Sequence, residues 1–171
     1  TVTPVKEGYV FDPPAMPFLR SDRPNLISSE RLSGRPWNPL VVRTTILQNI
    51  RATFEDVRII AVLRRQDTWA RSLYVNSIKE SFTLTPQALF AGALGEPCSR
   101  PWPHPVLDTF RFAPWVRTMF ILFGREPCLV LLYEDFARDP QAVADRIADF
   151  LDAPHIAVPD VRVNEAWRGR R

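Results

Sequence analysis

Two short apolar runs constrain this chain more than anything else in its 171 residues. Val57 to Leu63 reads VRIIAVL, and Cys128 to Tyr133 reads CLVLLY. Neither alternates polar with apolar residues, so each is expected to be a strand covered on both faces, as in a parallel sheet. The intervening stretches carry helix signals. Val42, Ile46, Ile50 and Phe54 recur every fourth residue and predict an amphipathic helix facing a core. Asp67 is placed to cap a helix from Thr68 with Trp69, Leu73 and Ile78 on its face. Thr85 and Pro86 open another helix that Gly95 can close. A helical region from Val106 is expected to break at Pro114 and stop at Gly124. Asp139 and Pro140 then begin a helix whose apolar face carries Val143, Ile147, Phe150 and Leu151. Strands alternating with helices predict an α/β fold with a mainly parallel sheet. A single domain is expected: a proline-rich irregular arm over 1–24 with a short strand near Tyr9 to Phe11, a core over 25–154, and a tail over 155–171. The segment Asn25 to Glu30 (NLISSE) reads as a short strand ending in polar residues.

Composition narrows the function classes. Hydrophobic content of 46% and charged content of 24% are those of an ordinary globular protein, and no run is long enough to span a membrane. A net charge of +3 suits an anionic ligand but gives little support to nucleic-acid binding. Among the 22 basic residues only Lys6 and Lys79 are lysines. Arginine favours bidentate contacts to phosphate or sulfate, although a bias of the source genome gives the same excess. Cys98 and Cys128 are too few for a disulfide framework; Cys128 is expected as a buried thiol, and a reducing cytoplasm is the expected location. No cluster has metal-ligand spacing, and no Gly-x-Ser-x-Gly elbow occurs.

The chemistry concentrates in RIIAVLRRQDTWARSLY, Arg58 to Tyr74. In open α/β sheets ligands bind beyond the carboxyl ends of the strands. Leu63 is the last apolar residue of its run, so Arg64 is expected at that rim, and Ser72 follows eight residues later on the next helix. An arginine there can form two charge-assisted hydrogen bonds to one phosphate and a serine can add another, each worth roughly 1.5–3 kcal/mol. The helix N-terminus adds partial positive charge. Spacing alone equally allows an arginine pair engaged in surface ion pairs, with Ser72 merely tolerated. Glu134 and Asp135 follow the second strand directly and point in different directions, which suits structural roles such as holding arginines or capping a turn.

The segment VRIIAVLRRQDTWARSLY resembles the 3′-phosphate-binding segment of sulfotransferases that use 3′-phosphoadenosine-5′-phosphosulfate (PAPS). In that family a strand ends in Leu-Arg, and a serine eight residues after the arginine shares the adenosine 3′-phosphate; Arg64 and Ser72 match those positions. LVLLYEDFARDPQAVADRIADFLDAP, Leu129 to Pro154, resembles the family's later Tyr-Glu-Asp turn, Asp-Pro helix start and Phe-Leu helix end, at Tyr133, Glu134, Asp135, Asp139, Pro140, Phe150 and Leu151. NLISSERLS looks like the central segment of bacterial members, so the resemblance runs from Asn25 to Pro154.

The resemblance implies a P-loop-NTPase-like three-layer fold and transfer of a sulfuryl group from PAPS, without a metal, to a small-molecule or carbohydrate hydroxyl or amine. It also sets out two departures. The family's opening strand and its Lys/Arg–Ser/Thr–Gly–Thr loop, which cradles the 5′-phosphosulfate, have no counterpart here, since TPVKEGY lacks the hydroxyl-rich turn. The late Arg-Lys-Gly segment is also absent, with WRGRR a faint echo. The expectation is that the chain starts downstream of the family's first β–α unit and that alone it binds adenosine 3′,5′-bisphosphate weakly, with little turnover. Glu30, at the end of its expected strand, is the candidate base that deprotonates the acceptor; a surface glutamate stabilised by a helix dipole is the other account. His104, in PWPHP, is the second candidate base, Trp37 and Trp102 are candidates for lining an acceptor site, and His155 is expected on the surface. A non-catalytic nucleotide-binding or interaction domain of the same fold is the alternative; a kinase ranks last for want of a Walker A motif. Acceptor identity and oligomeric state stay open.

Overall fold

The computed structural model describes residues 22, 24–28, 30–33, 40–79, 85–90 and 107–159. Helix α1 (Leu40–Thr53) forms where the fourfold apolar spacing predicts it. Ile46 and Ile50 are buried, with Val42, Phe54 and Val57 packed around them. Leu47, one residue further round the helix, enters a separate cluster with Ala61, Trp115 and Met119. The apolar face of α1 is therefore wider than the fourfold series, because it covers both the sheet and the segment carrying Ile27 and Leu32.

Strand β1 (Ile59–Leu63) and strand β2 (Cys128–Leu132) pair in parallel, with Ile59 opposite Cys128 and Leu63 opposite Leu132. Parallel neighbours need a long crossover. Here the intervening chain holds α2 (Gln66–Lys79), α3 (Pro86–Phe90), a 3-10 turn (Leu107–Phe110) and α4 (Phe112–Phe123). Helices α5 (Tyr133–Arg138) and α6 (Pro140–Leu151) follow β2. One face of the sheet, with Ile59, Ala61, Leu63, Cys128 and Val130, packs on Leu47, Trp115 and Met119. On the other face Leu131 is buried where α6 packs against β2. Met119 and Leu131 leave almost no surface exposed, and such burial is worth roughly 1.5–3 kcal/mol for each side chain. The expectation of cover on both faces holds at Ala61 and Leu131. It fails at the carboxyl rim, where Val62 is 58% and Leu132 48% exposed.

Element ends follow local chemistry. Gly124 closes α4 at φ +88°, in the left-handed region that disfavours a side chain, and donates its N–H to the Phe120 carbonyl. The Asp139 carboxylate caps α6 by accepting from the Ala142 N–H at 3.0 Å, with Pro140 in the first turn. Arg58 donates to the Phe150 carbonyl and pairs with Asp152 at 2.6 Å, tying the end of α6 to the entrance of β1.

Four expectations are corrected. Asp67 lies inside the first turn of α2, because the Trp69 N–H already bonds the Arg65 carbonyl; Asp67 instead pairs with the Arg65 guanidinium at 2.7 Å. The break before α4 falls at Arg111 rather than Pro114, which occupies a first-turn position whose missing N–H costs nothing. Asn25 to Ser28 have no regular structure and Glu30–Ser33 is a 3-10 turn: Ile27 and Leu32 bury themselves on α1, and neither is paired to a strand. Tyr133 leaves the strand and begins α5. Cys128 is half-buried, and that burial raises its thiol pKa. The short strand near Tyr9 to Phe11, the close of α3 at Gly95 and the tail WRGRR lie outside the described residues. Among those described, no helix is long and apolar enough to cross a membrane.

Candidate functional site at the carboxyl rim of the sheet

Because β1 and β2 are parallel and in register, both end on the same rim, and the residues that follow them face each other. Arg64 follows Leu63 and Tyr133 follows Leu132. The Arg64 guanidinium lies over the Tyr133 ring, 4.5 Å from its centre. Its Nε donates to the Thr68 hydroxyl at 3.3 Å, and that hydroxyl donates to the Arg65 carbonyl at 3.0 Å. The Thr68 hydrogen is thus spent on the backbone, which turns its lone pair toward Arg64. Among the described residues, Arg64 uses only Nε in hydrogen bonding, and none of the ion pairs includes it. Among the described residues, none accepts from its two terminal amino groups.

The second arginine does a different job. The Arg65 N–H donates to Glu134 Oε1 at 3.1 Å, which joins the two strand ends, and its guanidinium holds Asp67 at both oxygens. The Asp67 pKa is lowered, first by the Thr68 backbone N–H and then by Arg65. Of the surface ion pairs that spacing allowed for the arginine pair, Arg65 forms one among the described residues and Arg64 none among them. Glu134 has the structural role expected of it, and Asp135 pairs with Arg138.

Ser72 is the seventh residue of α2 and is exposed. It lies one turn beyond Thr68, and residues four apart share a helix face with Cβ atoms about 5–6 Å apart. Thr68 and Ser72 therefore share one face of α2, and Arg64, which precedes the helix, reaches that face through its bond to Thr68. Thr68 and the Tyr133 platform were missed as site residues; the fourfold step from Arg64 through Thr68 to Ser72 was the available signal for the first.

Glu30 heads the 3-10 turn Glu30–Ser33, so its backbone is placed, but its side chain lies outside the described part. That turn is held by Arg43 of α1, whose Nε donates to the Ser33 carbonyl at 2.7 Å and whose Nη1 donates to the Thr109 carbonyl at 3.3 Å. Arg43 is buried, its guanidinium lies 5.3 Å from the centre of the Trp115 ring, and desolvation lowers its pKa. Sequence reasoning did not find Arg43, since nothing in a helical pattern marks which charge turns inward. His104, Trp37 and Trp102 lie outside the described residues.

A groove of about 1090 Å³ opens beside the rim on the α4 side of the sheet. Leu63 and Val130 come from the strands, Val116 and Phe120 from α4, and Gln66 and Phe110 stand at the rim end. The Gln66 amide donates to the Phe110 carbonyl, and Trp69 meets Phe110 edge-on with centroids 4.8 Å apart. Leu63, which contributes to the groove, is the residue immediately before Arg64.

The architecture is similar to that of a solved sulfotransferase from Alicyclobacillus acidocaldarius, with a TM-score of 0.59 and 26% identity over 72% of this chain and 51% of that one. The chain thus spans about half the length of that structure. Both share the mixed α/β arrangement with a parallel sheet. No protein-family model matches the chain, and no curated protein matches it.

Proposed function

We propose that this chain forms the 3′-phosphate end of the donor site of a PAPS-dependent sulfotransferase, with a hydroxyl or amine compound as acceptor. The observation that carries the reading is Arg64 at the end of β1: stacked on Tyr133, braced by Thr68, with no described residue on its terminal amino groups, and Ser72 one turn beyond Thr68 on α2. A doubly charged phosphate fits this set, since a planar guanidinium gives it two parallel donors and a hydroxyl a third. The nearby N-terminus of α2 favours the same anion. Similarity to a sulfotransferase, and two sequence segments that resemble the family in the right order, point to PAPS among the possible anions.

In this reading Arg64 and Ser72 bind and orient the donor from its 3′ end and do not touch the sulfur. Binding energy at that remote group fixes the position of the reacting one. Glu30 is the proposed base: it takes the acceptor's proton as the acceptor oxygen or nitrogen bonds to sulfur. The bond from sulfur to the donor's 5′-phosphate oxygen breaks in the same step, and adenosine 3′,5′-bisphosphate leaves.

Calorimetric titration of adenosine 3′,5′-bisphosphate against adenosine 5′-monophosphate tests the reading. The 3′-phosphate is expected to strengthen binding, and Arg64→Ala to remove about 10- to 100-fold of affinity for the bisphosphate alone, from the roughly 1.5–3 kcal/mol of a charged hydrogen-bonding contact. Equal affinity of wild type and Arg64→Ala for the bisphosphate refutes it. A non-catalytic nucleotide-binding domain would bind alike, and transfer of labelled sulfate from PAPS to a panel of acceptors separates the two.

A further inference from the structure

The groove beside the rim is not used by the donor contacts, and its chemistry selects a ligand. Its base is Leu63 and Val130, its side is Val116 and Phe120 of α4, and Phe110 closes the rim end. These side chains offer a flat apolar molecule dispersion contacts, and the polar lining, Gln66, Thr118, Arg111 and Arg117, consists of two neutral groups and two cations. Arg117 is an exposed residue of α4 that lines the same groove. With Arg111, which also lines the groove, its guanidinium supplies fixed positive charge beside an apolar bed. The groove, about 1090 Å³, is open to solvent and somewhat larger than the roughly 300–1,000 Å³ of an enclosed small-molecule site. Leu63 and Gln66, on either side of Arg64 and Arg65 in the chain, line the groove, so it reaches the β1–α2 junction that carries Arg64.

We infer that this groove binds the acceptor and that the acceptor is a hydroxylated apolar acid: a ring or chain body on Leu63, Val130, Val116 and Phe120, with an anionic group toward Arg117. The inference rests on the sulfotransferase reading for the word acceptor; the groove's preference for an apolar anion rests on its own side chains. It narrows the acceptor class from any hydroxyl or amine compound.

The probes are 6-hydroxy-2-naphthoate, 2-naphthol and methyl glucoside, titrated into the full chain with tryptophan fluorescence as readout, since Trp69 abuts Phe110 of the groove. The naphthoate is expected to bind more tightly than the naphthol, and methyl glucoside not to bind. Arg117→Glu alters an exposed position, so folding should be retained. It is expected to weaken the naphthoate about fivefold, the scale of a surface charge pair, and to leave the naphthol unchanged. Val116→Trp should weaken both by filling the groove, and its far-ultraviolet dichroism reports whether it folds. Equal affinity for naphthoate and naphthol, insensitivity of the naphthoate to Arg117→Glu, or tighter binding of the glucoside would each overturn the assignment. Adenosine 3′,5′-bisphosphate is titrated into the same samples. Failure of the bisphosphate with the naphthoate results intact overturns the donor reading alone. Failure of the naphthoate with bisphosphate binding intact overturns the groove assignment alone.

Discussion

Tyr133→Leu should weaken adenosine 3′,5′-bisphosphate binding only through Arg64. The guanidinium lies 4.5 Å from the ring centre, and Tyr133 is 41% exposed, so the stack belongs to the solvent-accessible class of cation–π contacts. Such contacts are worth about 0.5–1 kcal/mol, equivalent to about a two- to fivefold change in affinity. Leucine preserves apolar bulk at the rim, and the Nε bond to Thr68 remains to hold the arginine in part. The expected loss is therefore a fraction of that for Arg64→Ala. A double-mutant cycle isolates the coupling: once Arg64 is alanine, Tyr133→Leu should change nothing. Isothermal titration of the four proteins gives the coupling energy directly. If Tyr133→Leu weakens binding equally in both backgrounds, the ring touches the ligand itself, and its role as a platform for the guanidinium is wrong.

Two further outcomes can be measured on the unliganded protein. Arg43→Met removes two hydrogen bonds from a charged donor, to the Ser33 and Thr109 carbonyls, and the Trp115 stack; it also removes the desolvation cost of a buried ion. The two bonds, at about 1.5–3 kcal/mol each, outweigh that relief, and a net loss of about 2 kcal/mol is expected in urea unfolding; a variant at least as stable as wild type would reverse the ranking. His155 lies between Asp145 at 3.0 Å and Asp149 at 2.9 Å, while Gln141 holds the Ile156 carbonyl and the Val158 N–H, so the chain after α6 straps back along it. The hydrogen bond to Asp145, then that to Asp149, raises the His155 pKa above 6.5. A raised folded value gives a contribution fully present below the ordinary pKa and lost as pH rises through the folded one. Protection of the Val158 amide, corrected for intrinsic exchange, should fall as pH rises from the ordinary histidine range through the raised His155 value and become flat in His155→Gln; an unchanged slope in that variant would show that the histidine does not hold the strap.

Much of the fold was legible before any coordinates. The runs at 57–63 and 128–133 could be read because burial of a parallel strand leaves an unbroken apolar signature, and Asp139–Pro140 and Gly124 because caps act within a few residues. Asn25 to Glu30 misled because a handful of apolar residues does not distinguish a strand from a segment that buries itself on a helix. At the candidate site, Arg64 was legible from its place after an apolar run. The division of labour between Arg64 and Arg65 was not, since adjacent arginines look alike until their neighbours are known.

The sequence by itself determined the two paired strands, the helices at 40–53, 66–79, 112–123 and 140–151 to within a few residues, the arginine at a strand end and the hydroxyl eight residues later, because each leaves a local pattern. Only the tertiary structure decided that Tyr133, 69 residues beyond Arg64, lies beneath its guanidinium, that Glu134 bonds the Arg65 N–H, and that Arg43 turns inward to two carbonyls. The first two contacts depend on the parallel register that sets Leu63 opposite Leu132, and register is a property of two distant segments packed together rather than of either one alone.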